Sequence, residues 1–202
     1  MESLSLLLAL TVGFSHAFEA DHLAAVSSMS MRHTNLTAAM KDGVYWGLGH
    51  LSTILLIGLV MMAGHWLISN TIFAYFEAIV GLMLIGLGVY RLLPARLAES
   101  QHSDDKQHKI AYGVGAVHGL AGSGVLMALV MQQWDSLWLS FGYLLLFGLG
   151  SIIGMFLAAG VFSLPFSKRW VSWPGVQQGL VWISALCCIV LGSMIVYENI
   201  GG

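Results

Sequence analysis

The chain has 202 residues, of which 57% are hydrophobic and only 9% charged, with a formal net charge of -2 and a mean hydropathy of +0.81. A soluble domain carries roughly a quarter charged residues, so this composition excludes an ordinary water-soluble globule and indicates one integral membrane domain set in a lipid bilayer. The small net charge gives no basis for nucleic-acid binding, and the two cysteines, Cys187 and Cys188, are adjacent in an apolar run and set no disulfide framework.

About 20 apolar residues are needed to cross ~30 Å of hydrocarbon. Six segments qualify, near 4–30, 43–64, 70–93, 110–131, 136–163 and 175–197. The expected fold is therefore all-α, a polytopic bundle of six transmembrane helices. The first segment has no basic region before its apolar run and only Glu2 as a charge, so it reads as a retained span rather than a cleavable signal peptide. Between the third and fourth segments, "PARLAESQHSDDKQHK" at 94–109 is hydrophilic and reads as a solvated cytoplasmic linker. It divides the chain into a first three-helix repeat at 1–93 and a second at 110–202.

Lys and Arg collect at the cytoplasmic ends of short loops. With six spans, Arg32 and Lys41, then Arg91, Arg96, Lys106 and Lys109, then Lys168 and Arg169 all fall on one side, which accounts for all 8 basic residues. The connections at 65–71 and 132–136 contain none. This segregation places both termini outside, in a bacterial-type inner or plasma membrane.

The halves echo one another. "VGFSH" ending at His16 matches "VGAVH" ending at His118, and "GLGH" ending at His50 matches "GLGS" ending at Ser151. Repeats of three spans each must enter the membrane from opposite sides, which is the inverted-repeat plan of many secondary transporters. The 24 glycines fit close helix packing, as in "GLMLIGLG" at 81–88.

Depth then brings the ionisable residues together. With a rise of ~1.5 Å per residue, His22 lies about eight residues from the cytoplasmic end of span one, or ~12 Å. His50 lies about seven residues into span two and His118 about eight into span four, so three helices offer imidazoles at about one level. On a continuous helix His16, Glu19 and His22 share a face and Asp21 points away. Asp21 then orients a histidine from behind, or the helix is broken there.

Intramembrane ionisable groups are costly unless paired or functional. H-x-x-x-x-D-H with two further intramembrane histidines points to a route for a divalent metal, and a buried polar network that locks helices together is the alternative. Glu19 and Glu77 are candidates for a relay or a supporting role, Glu77 lying some seven residues, or ~10 Å, from the outer end of span three. His65 lies near the outer end of span two. His33, His102 and His108 fall in cytoplasmic connections, where solvent exposure is expected.

These residues carry a family resemblance. "HAFEADH" at 16–22 resembles the H-x-x-x-x-D-H signature of the nickel/cobalt transporter superfamily and of its shorter, urease-accessory-type nickel permeases. "LGHLST" at 48–53 resembles their second histidine motif, with Leu51 intervening where the larger transporters read G-H-S-T. "HGLAGSG" at 118–124 and "FEAIVGLMLIGLGVYRL" at 76–92 resemble stretches of the same proteins. The resemblance covers essentially the whole chain, although the larger transporters have eight spans. It implies that His16, Asp21 and His22 handle a divalent metal, with His50 and His118 contributing.

Imidazoles suit Ni²⁺, Co²⁺, Cu²⁺ and Zn²⁺ alike, so ligand type alone selects none of them. The expected function is a secondary-type permease for Ni²⁺ or Co²⁺, uptake favoured over export, with the ion as transported substrate and no resident cofactor. A homo-oligomer or an accessory metal-delivery protein is compatible as partner. Two alternatives stay open, a metal-dependent intramembrane hydrolase and a carrier of another solute. An enzyme is not the favoured reading, because H-E-x-x-H is absent and the last span offers no histidine to pair with Ser123.

Overall fold

The computed structural model describes residues 2–30, 35–64, 69–93, 104–121, 136–166 and 174–201. The described residues form seven α-helices and no strand: α1 (Glu2–His16), α2 (Ala20–Ser30), α3 (Leu36–Gly64), α4 (Asn70–Leu92), α5 (Asp104–His118), α6 (Leu137–Ser163) and α7 (Pro174–Ile200), with a 3-10 turn at Leu164–Phe166. Among them, Leu36–Met62, Thr71–Leu92, Leu137–Phe166 and Gly175–Ile200 are long and apolar enough to cross a membrane. Their outward faces match that solvent. On α7, Trp182, Ile183, Leu186, Val190 and Met194 are all exposed, an apolar stripe that water would penalise and lipid accepts. The chain is an all-helical membrane protein.

The second, third, fifth and sixth expected segments correspond to α3, α4, α6 and α7. The first does not form one helix. α1 stops at His16, residues 17–19 turn, and α2 starts at Ala20. No Gly or Pro marks the break; the chain closes it with tight turns, Phe18 N donating to Ser15 O at 3.0 Å and Glu19 N to His16 O at 3.0 Å. Leu23 N then donates to Glu19 O at 2.9 Å and opens α2. The donors of residues 17–19 are thus satisfied within the chain, as a low-dielectric surrounding demands. α5 already begins at Asp104, within the stretch read as a linker at 94–109, whose first ten residues lie outside the described residues, as does 122–131, the remainder of the fourth expected span.

Close approaches fix the helix directions. α3 runs antiparallel to α6, with Gly47 against Ile152 and Gly148 against Leu51. It runs parallel to α5, with Gly49 against Tyr112 and Gly119 against His50. α1 lies parallel to α6, with Gly13 on Phe147 and Gly154 on Ala17, and α4 antiparallel to α7, with Gly81 on Gly192 and Gly88 on Ala185. α2 is enclosed by α3, α4, α6 and α7. Ser27 and Ser184 hydroxyls bond at 2.8 Å, and the Cys188 thiol donates to Ala24 O at 3.2 Å.

Two apolar clusters fill the interior. One contains Met29, Trp46, Leu84, Met155 and Ala158, and the other Ile54, Ile57, Met61, Leu144 and Phe147. Along α3 they lie on opposite sides of His50.

Candidate metal centre

Three helix ends meet between these clusters. His16 is the last residue of α1 and His118 the last of α5, while Asp21 and His22 lie in the first turn of α2; His50 comes from the middle of α3. A helix C-terminus carries partial negative charge and a helix N-terminus partial positive charge. Two C-termini therefore favour a cation at this point, and Asp21 offsets the opposing N-terminus of α2. The arrangement is that of discontinuous helices whose ends point into a bundle.

The imidazoles are in direct contact. Ring centroids of His16 and His22 are 4.5 Å apart, His22 and His118 4.7 Å, and His50 stands 5.3 Å from both His16 and His22. Ligand atoms of His16, His22 and His50 lie within 4.8 Å of one another, as do those of Asp21, His22 and His118. His22 belongs to both triads. Asp21 Oδ1 is 3.0 Å from His22 Nδ1, and Oδ2 is 3.8 Å from His118 Nε2. The first contact leaves His22 Nε2 facing the cluster.

His22, His50 and His118 are buried, yet His22 Nε2, both nitrogens of His50 and His118 Nε2 have no hydrogen-bond partner. Leaving buried polar atoms unpaired costs about 1–3 kcal/mol each. A network whose purpose is to lock helices together would satisfy them. Unpartnered imidazole nitrogens and a carboxylate grouped this closely suit a divalent ion.

The break after His16 sets where Asp21 points. It turns the carboxylate toward His22 and His118, so Asp21 joins the cluster instead of pointing away. Glu19 pairs with His16 Nδ1 at 2.9 Å and its side chain is 59% exposed, so it braces His16 from the rim. Glu77, half-buried on α4, is not among the gathered residues. His108 departs from the expected solvent exposure. Its Nδ1 lies 2.6 Å from Oδ1 of the buried Asp42, and its ring stacks on Tyr45 at 4.6 Å. His33, His65, His102 and Ser123 lie outside the described residues.

Two aromatic residues flank the cluster without belonging to the histidine motifs. Trp46 lies 5.6 Å from His22 and 5.5 Å from His118, and Phe147 lies 5.3 Å from His16. Both are findable by extending the repeat match one residue backwards, since "WGLGH" at 46–50 aligns with "FGLGS" at 147–151. In the second half Ser151 stands where the first has His50, and its hydroxyl bonds to the carbonyls of Gly13 and Phe147 at 3.0 and 3.1 Å.

No family model matches the chain, and no solved structure matches it. Among characterised proteins it is 26% identical, over 90% of its length, to the chloroplast protein FOR GROWTH AND FERTILITY 2 of Arabidopsis thaliana, of which it spans 53%. It is 31% identical to the urease accessory protein UreH of Bacillus sp. (strain TB-90), an alignment covering 100% of this chain and 95% of that one. At that identity over the full length of both, the chain belongs to the family of the urease accessory protein UreH.

Proposed function

We propose that the chain is a secondary-type membrane permease for a divalent transition-metal ion, with Ni²⁺ as the first candidate substrate and Co²⁺ as the second, working in uptake. One observation carries the reading: four imidazoles and a carboxylate converge between two apolar clusters, and buried imidazole nitrogens there lack partners. His16, Asp21, His22, His50 and His118 are the proposed ligands. The kinship with a urease accessory protein and the resemblance of "HAFEADH" to nickel/cobalt transporters favour nickel and cobalt over other ions that imidazole accepts.

The proposed architecture is six spans in two inverted repeats, with both termini outside. Equivalent contacts support it. Gly13 abuts Phe147 and Gly115 abuts Trp46; Gly150 abuts Leu10 and Gly49 abuts Tyr112. Each pair maps onto the other by the offsets that align the "VGFSH" and "GLGH" motifs. The turns after His16 and His118 also match, Phe18 N to Ser15 O and Glu19 N to His16 O answering Leu120 N to Val117 O and Ala121 N to His118 O.

The test is flux. Purified protein in vesicles loaded with a metal-sensitive dye admits Ni²⁺ or Co²⁺ down a gradient, and the His22→Ala and His50→Ala variants do not. Hydrolytic activity without flux would replace this reading with an enzyme.

A further inference from the structure

We propose that Phe147 and Trp46 are the two gates of the site, one at each end, each closing over one of two ligand triads that share His22. The inference rests on the permease reading and adds where the ion is held and which side chains release it.

Register places the two aromatics at different depths. Gly148 meets Leu51 and Gly47 meets Ile152, so in the antiparallel α3–α6 pair Phe147 stands level with residue 52 of α3. Trp46 lies six residues earlier on α3, or ~9 Å toward the linker side. His50 falls between them. Phe147 belongs to the apolar cluster of Ile54, Ile57, Met61 and Leu144, and Trp46 to that of Met29, Leu84 and Met155. Both rings are buried, at 3% and 1% exposure. Each apolar cluster thus presents an aromatic ring to the imidazoles and acts as a plug.

The ligands divide in the same way. Phe147 packs on His16, a member of the His16–His22–His50 triad, while Trp46 packs on His22 and His118, members of the Asp21–His22–His118 triad. The two His–aromatic contacts, 5.3 Å and 5.5 Å, are equivalent when the halves are exchanged: His16 maps to His118 and Phe147 to Trp46. A two-fold-related pair of plugs around one shared ligand is what an alternating-access carrier requires. Movement of α6 relative to α1 uncovers one triad, and movement of α3 relative to α5 uncovers the other. An ion passes from His16 and His50 to Asp21 and His118 by exchanging partners around His22.

A thiol placed in the layer tests this directly. Ser151→Cys, in a chain carrying Cys187→Ala and Cys188→Ala, puts one sulfur between the plugs. An impermeant maleimide is applied to right-side-out and to inverted vesicles, with and without Ni²⁺. Phe147→Ala raises the labelling rate about tenfold from the outside only, a shift of about 1.4 kcal/mol in the opening equilibrium. Trp46→Ala does the same from the linker side only. Should either alanine variant lose its monodisperse profile, Phe147→Leu and Trp46→Leu keep an apolar side chain in place and give a smaller rise with the same sidedness. Unchanged labelling, or a rise on both faces from one variant, overturns the gates. Failure of Ni²⁺ to protect the thiol in any variant overturns the permease reading while leaving the sidedness result readable.

Discussion

Gly13 and Phe147 are in backbone contact: a Cβ at position 13 would collide with the carbonyl oxygen of Phe147, and Gly115 stands in the same relation to Trp46. These approaches seat α1 on α6 and α5 on α3 at the level of the histidines. Gly13→Ala and Gly115→Ala must each push two helices apart. Overpacking of this kind costs about 1–3 kcal/mol. Both variants should melt at lower temperature in detergent, as read by loss of the monodisperse peak on heating, whereas Gly86→Ala, where an added Cβ meets nothing, should melt like the parent.

The proposed ligand set predicts a graded series. His22→Ala and His50→Ala should abolish metal accumulation at matched membrane levels, since each removes a buried donor from the centre of the cluster. Asp21→Asn keeps shape and removes charge, and should weaken metal handling roughly 10–100-fold, the usual loss when a group that orients a metal-binding imidazole is changed. His65→Ala, just beyond the end of α3, should transport normally. Full accumulation by His22→Ala would return the cluster to a structural role.

Asp42 and His108 tie α3 to α5 at 2.6 Å, outside the gathered histidines. A double-mutant cycle with Asp42→Asn and His108→Gln, scored by thermal stability in detergent, should give a coupling energy of about 1 kcal/mol. Metal flux in vesicles should fall modestly in each single variant and not vanish. Strictly additive losses would show that the pair contributes no interaction of its own.

The basic residues, which fall on one side in the proposed six-span arrangement, predict topology. In a chain with Cys187→Ala and Cys188→Ala, a cysteine at Ser136 should react with an impermeant reagent in intact cells, and one at Ser100 should react only after permeabilisation. Reversal of the two would invert the orientation and exchange the inner and outer gates.

The sequence by itself determined the solvent of this protein, the positions of its long helices and the identity of the residues that gather. Apolar stretches long enough for a bilayer have one hydrogen-bonded solution, the helix, so α3, α4, α6 and α7 fall where hydropathy places them. The four histidines were legible because an imidazole in such a stretch is too costly to be incidental. What only the tertiary structure decided was their geometry. No Gly or Pro in "SHAFEADH" announces the break between α1 and α2, and local propensity alone would continue the helix and turn Asp21 away. Packing decides instead: α2 is drawn among α3, α4, α6 and α7, the tight turns after His16 satisfy its backbone, and Asp21 swings onto His22 and His118. The partnership of His108 with Asp42, 66 positions apart, was equally out of reach, because hydropathy reports a residue's solvent and carries nothing about which helix will stand beside it.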